Sequence, residues 1–275
     1  MLVQRPVRGV LTARLHAALF VLVWTTLHLS ACSAKPDFGQ PSPAEILSPR
    51  TRHVVVEVDY AVGSEPYTAP LGTFGPSWTI VRKNLLAVFA DRGVTVTVPE
   101  TLDQMQPLSD VGRAGYTEDD VLDIAVRHRD RYSTPGTVTF YVVFLPGAFD
   151  DGDAIDPDTL AVTVGATGVI AMFKPTPDGN GSGTAGMHEA EFVEQSTLVH
   201  ELGHAIGLVN DGVAMAAPHQ DAANGAHCLN PKCVMYWDNE GAMSAKRFLS
   251  NYRKSESAVL FGEECMADVR APSPL

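Results

Sequence analysis

Residues 200–210 read HELGHAIGLVN, with two imidazoles and a carboxylate inside one short stretch. His200 and His204 are four apart, so on a helix both rings leave the same face and can close on one ion. Glu201 lies one step round. It is poorly placed to join that pair but can reach a water molecule bound to the ion. The pattern separates two ligands from one general base, as metal-assisted hydrolysis requires. Zinc suits it: bound water ionises near pH ~7 on zinc, and a neighbouring carboxylate can take the proton. A lone buried histidine is usually a satisfied core residue. Two at this spacing, with a glutamate between them, are not easily explained that way.

Two histidines and a water leave zinc one protein donor short. Three residues past Gly207 stands Asn210, whose neutral amide binds zinc weakly. Asp211 follows, but Asn210-Asp211-Gly212 reads as a plain turn. His219, in APHQD, and His227, in AHCLNPKCVMYW, come later, and Glu240 and Glu263 later still. The residues alone leave that choice open.

The elements that must position this chemistry are legible in outline. Residues 189–208 form a helix, with acids at its start and Gly207 near its end. Upstream, 53–58 (HVVVEV), 94–98 (VTVTV) and 137–145 (TVTFYVVFL) read as strands. Residues 76–93 and 117–132 read as helices, the second with Thr117 as N-cap. Residues 160–173 read as two more strands with a turn near Gly165–Gly168. This order predicts an α/β fold with a mixed sheet. The acidic run 149–158 (FDDGDAIDPD) invites calcium but lacks the spacing of a known calcium loop, so a solvated loop is the simpler reading. Residues 177–186 read as a flexible loop.

The N-terminus reads as an export signal. Arg5, Arg8 and Arg14 precede the short apolar run 15–27, and Leu29-Ser30-Ala31-Cys32 resembles a bacterial lipobox. The expected organisation is a lipoprotein signal peptide over 1–31 and a flexible tether over 32–52, with Cys32 lipidated. The catalytic domain then spans 53–275, divided between residues 208 and 209. The expected location is the cell envelope, outer membrane or cell surface, with a lipid anchor; Ser33 after Cys32 gives no inner-membrane retention signal. Removing 1–31 takes three arginines from the 20 basic residues and none of the 32 acidic ones, leaving a balance of −15. That argues against a nucleic-acid partner, since phosphate binding needs a basic face. Cys228, Cys233 and Cys265 remain, in a compartment where disulfides persist.

The chain resembles the metzincin metalloproteases, and among them the archaemetzincins, whose pattern runs HExxHxxGxxHC, four residues, then CxM. Here His200-Glu201-x-x-His204-x-x-Gly207 is followed, after an insertion of about 17 residues, by His227-Cys228-x4-Cys233-x-Met235. The resemblance implies a zinc-dependent endopeptidase acting on protein or peptide substrates, and a monomer is expected. It implies a twisted mixed sheet, a backing helix, the active-site helix and a small C-terminal subdomain. His227 becomes the third ligand, with His219 the alternative, and Met235 the tight turn beneath the metal. It places Tyr236 near a developing oxyanion, and it makes 168–173 (GVIAMF) the edge strand over the cleft. Residues 261–269 match its closing helix. Archaemetzincins bind a second, structural zinc through four cysteines. Only Cys265 remains downstream here, so a Cys228–Cys233 disulfide is expected instead. The contrasting reading is a catalytically inactive zinc-binding lipoprotein of the same fold.

Overall fold

The computed structural model describes residues 36–70, 75–174, 184–237 and 258–271. The expected signal segment, Cys32, Glu240 and residues 177–183 lie outside them. The fold is α/β. After a short helix α1 (Pro43–Ile46) come β1 (His53–Ala61), α2 (Thr79–Val88), β2 (Thr95–Thr97), β3 (Gln106–Leu108) and β4 (Gly115–Tyr116). Then follow α3 (Glu118–His128), β5 (Thr137–Pro146), β6 (Ala148–Asp150), β7 (Ile155–Asp156), β8 (Ala161–Thr163) and β9 (Val169–Lys174). Helix α4 (Thr184–Ile206) carries the histidines, and α5 (Glu263–Arg270) follows near the C-terminus.

The main sheet runs β2-β1-β5-β9-β8, with β3 also pairing β1. All its pairings are parallel except β8 on β9. A strand inside a sheet covered on both faces must be apolar throughout, and β5 is buried over its whole length apart from its two ends. Alternate side chains feed separate cores. Val54, Val56 and Val58 of β1 and Phe140, Val142 and Phe144 of β5 pack with residues of α2 and α4. Tyr141, Val143 and Leu145 face the other way, onto Val121, Leu122 and Ile124 of α3. Thr117 and Asp120 cap α3 reciprocally, as the acid-rich first turn leads one to expect.

Two expectations are corrected here. Residues 36–52 are not a loose tether. Ser42 and Glu45 form a capping box on α1, and Phe38, Ile46 and Leu47 are buried. The apolar residues among the prolines are what anchor the segment: Pro43 lies over Gly207 and Gly212, where the chain leaves α4. Second, the edge strand is not 168–173. That segment is β9, held between β5 and β8, and the sheet ends at β8. A 3-10 turn over Gly165–Thr167, closed by Gly168 at φ +69°, reverses the chain and puts the shorter strand outside.

The acidic run forms the β6–β7 hairpin, paired antiparallel. Its carboxylates serve the loop itself. Asp150 accepts from the Gly152 N–H, Asp151 from Asp153 and Ala154, and Asp156 from Asp158 and the Thr159 hydroxyl. That is turn chemistry, and nothing in it favours calcium. Among the described residues no helix is long and apolar enough to cross a membrane.

Candidate metal centre

Helix α4 carries His200 and His204 on the face toward the C-terminal segment. Their Nε2 atoms lie 3.0 Å apart, and the Nε2 of His227 lies 3.2 Å from that of His200. The three form a set whose ligand atoms all fall within 4.8 Å of one another. His200 and His227 are buried, and His204 is half-buried.

The outer nitrogens explain why this set fits a metal. His200 donates through Nδ1 to the Val234 carbonyl at 2.7 Å, and His227 through Nδ1 to the Asn224 carbonyl. A neutral imidazole whose proton sits on Nδ1 presents a bare lone pair at Nε2. Facing lone pairs at this separation repel one another unless a cation lies between them. Backbone carbonyls holding the far nitrogens are the usual support for metal-bound histidines.

The turn after α4 decides which residue becomes the third donor. Gly207 has φ +91°, and a Cβ there would lie 2.5 Å from the Asp211 carbonyl and from Pro43. Val209 and Asn210 are also left-handed. The chain therefore swings away. Asn210 hydrogen-bonds Gln220 at 3.0 Å, and Asp211 is exposed. The insertion returns through an antiparallel bridge, Gln220 opposite Cys228. Asp221 donates to the His227 carbonyl at 2.7 Å, and Leu229 to that of His219 at 2.8 Å. This hairpin-like closure delivers His227 to the helix pair across the extra residues. It sends His219 elsewhere: its Nε2 meets Asp268 at 2.7 Å and its Nδ1 faces the Cys228 sulfur at 3.3 Å. Glu263 stands exposed at the start of α5.

Glu201 is buried, and its side chain lines a cavity of about 620 Å³ with His204, Phe149, Val162, Thr163 and Asp211. Thr163 of β8 was not singled out by sequence. Its hydroxyl lies 2.7 Å from Glu201 Oε2 and 2.9 Å from the Glu201 carbonyl. A hydroxyl has one proton, so it donates to one of these acceptors at a time. Either way it ties the edge strand to the carboxylate. Only the pairing of β8 with α4 reveals this, which no local pattern encodes.

Met235 is fully buried under the helix. A Cβ on Gly203 would lie 2.3 Å from the Met235 sulfur and 3.1 Å from the Phe261 ring. Gly203 thus lets the turn at 233–236 press against α4 between the two histidines, and Val234 N–H bonds Leu260 behind it at 2.9 Å. Gly203→Ala is expected to lower stability by about 1–3 kcal/mol through overpacking, despite alanine's better helix propensity. Denaturant midpoints of the two proteins check this; an unchanged or higher midpoint would show that the turn yields freely. Tyr236 lies beside Trp237, ring centroids 6.0 Å apart, and is not among the residues lining the cavity at Glu201.

The expected Cys228–Cys233 disulfide is not formed: Cys228, Cys233 and Cys265 are all free thiols, and all are buried. Spacing along the chain showed that these cysteines could meet, but not that His219 and Cys265 would be folded in beside them.

No protein-family description matches this chain, and no curated protein sequence does. Among solved structures the chain is similar to archaemetzincin from Methanopyrus kandleri, with a TM-score of 0.41 and 14% identity over 80% of this chain and 94% of that one. It is also similar to a zinc-dependent peptidase from Methanocorpusculum labreanum, with a TM-score of 0.43 and 14% identity over 78% of this chain and 99% of that one.

Proposed function

We propose that this chain is a zinc-dependent endopeptidase, exported and held at the cell envelope by a lipid on Cys32. The observation that carries the catalytic reading is the convergence of His200, His204 and His227 within reach of one ion, with His204 and Glu201 also lining a cavity. His200, His204 and His227 would hold the ion, and His204 lines the cavity together with Glu201. Zinc, when bound, supplies Lewis acidity that makes a water molecule nucleophilic near neutral pH.

The chain's own residues do the rest. Glu201 accepts the water proton at its carboxylate and returns it to the nitrogen of the departing amine. Thr163 fixes the carboxylate's direction. Strand β8 forms one wall of the cavity and ends the sheet, so an extended peptide can add to its outer edge by main-chain hydrogen bonds. Such binding reads backbone more than side chain and suits cleavage within a chain.

The purified protein is expected to cut an unfolded protein substrate, to stop after chelation, and to recover on adding zinc. A zinc-loaded preparation with no cleavage of any unfolded substrate would refute the assignment. Lipid attachment is read by palmitate labelling, which Cys32→Ala should abolish.

Thr163→Val keeps the strand's shape and removes the hydroxyl. A partner that orients a group at a metal centre is typically worth about 10–100-fold, and the loss should fall on kcat, with KM and zinc content little changed. Thr163→Ser should restore most of the rate. Equal rates for Val and wild type would show that Glu201 needs no tie to the strand.

A further inference from the structure

The cavity beside the histidines has a charge pattern that the hydrolytic chemistry does not use. Three carboxylates line it, on Glu118, Glu201 and Asp211, and among the described residues no lysine or arginine does. In the proposed mechanism Glu201 is occupied with the water proton. Glu118 opens α3, where the helix N-terminus favours the anion. Asp211 stands exposed just past α4. Gly207 makes room for it there: a Cβ on that residue would lie 2.5 Å from the Asp211 carbonyl. The walls between these acids are short and apolar, from Pro41, Pro43, Phe149, Val162 and Ala205.

The two prolines come from the N-terminal segment, which crosses this part of the cavity as a fixed strap. Gln40 lies against the turn between β8 and β9, its Cδ 2.5 Å from where a Cβ on Gly168 would stand. Its Oε1 accepts the Ser133 hydroxyl at 3.0 Å. Phe38 before it stacks on Tyr132, ring centroids 6.4 Å apart, and Pro43 after it lies over Gly207 and Gly212. A wall held at both ends is organised before substrate arrives, so its shape can discriminate at little entropic cost.

Resting on the peptidase reading above, we propose that this cavity receives a lysine or arginine side chain of the peptide substrate, and that the 40–43 strap and Asp211 set the preference. At about 620 Å³ the cavity falls in the size range of ligand sites. A basic side chain is an apolar stem ending in a cation. The stem would lie along the prolines and Val162, and the tip would meet Asp211 and Glu118. Because Asp211 is exposed, the tip keeps part of its water, and the ion pair need not repay a full desolvation. An acidic side chain would face three like charges and be rejected. The whole chain carries 32 acidic against 20 basic residues, which draws cationic peptides toward it.

The zinc-loaded full chain is given a mixture of unfolded proteins, and the cut sites are mapped by mass spectrometry. Lysine and arginine should be enriched at one position next to the cut bond. Peptides differing only there, with Lys, Met or Glu, should rank in that order in kcat/KM. Lys should lead Met by about 5–10-fold, between the worth of an exposed ion pair and that of a charge-assisted hydrogen bond. The lead should shrink as salt is raised. Asp211→Asn should lower the Lys-to-Met ratio, and Pro41→Arg, which puts a cation in the wall, should move Glu ahead of Lys. The same peptides, titrated by fluorescence anisotropy into zinc-loaded Glu201→Gln, read the preference in binding alone. Lys ahead of Glu in binding, with no cleavage by the wild type, would keep the cation in the cavity and overturn the peptidase reading. Cleavage with no enrichment of Lys or Arg, or a Lys-to-Met ratio unchanged in both variants, would overturn the assignment of this cavity and leave the peptidase reading standing.

Discussion

Glu201→Gln is expected to fold, to bind as much zinc as the wild type, and to lose about 10²–10⁴-fold in kcat/KM on an unfolded protein substrate. The size follows from what the substitution takes away. Glutamine matches glutamate in shape and keeps an oxygen that can accept from Thr163, 2.7 Å from the carboxylate in the wild type. It has no site that takes a proton from water or hands one to a departing amine. The histidines are untouched, so substrate binding and the metal's own contribution should survive as residual activity. The contrast with Thr163→Val is diagnostic: that variant keeps the base and loses its orientation, so its defect should be the smaller one. Measured zinc content is essential to the comparison. Wild-type turnover in a fully loaded Glu201→Gln protein would exclude the carboxylate as base, and the cavity would then need another proton acceptor.

How much of this site the sequence showed depended on how local each part is. His200, Glu201 and His204 were readable because a helix fixes their relation by spacing alone. Helix α3 was readable for the same reason, its cap and its acids standing next to each other. His227 and His219 could not be separated from residue spacing. Their difference lies in the bridge of Gln220 on Cys228, which sends neighbours on either side of the pairing to different places. The strands over 160–173 were found, but their order was not, since pairing order is a long-range property. The N-terminal segment was misread on composition. Its prolines and serines look like a linker, yet α1 is only Pro43–Ile46 and is held by packing rather than by propensity. The cysteines were misread because counting suggests pairs, whereas the fold adds a histidine and a third thiol to the same place.

His227→Ala is expected to empty the catalytic site at zinc concentrations that saturate the wild type, and to abolish cleavage. His200 and His204 would remain on one helical turn, giving two donors to an ion that needs three from the protein. Losing a mere supporting partner of a ligand costs about 10–100-fold in affinity or activity, so losing the ligand should cost more. The backbone of residue 227 is held independently of its ring, by the Asp221 N–H on its carbonyl at 2.7 Å. Alanine there should leave the bridge intact, and with it the sulfur cluster one residue on. If His227→Ala kept a competitor-resistant zinc and normal turnover, the third donor would have to be another residue reaching the cavity. Asp211, which lines it, would be the first to substitute.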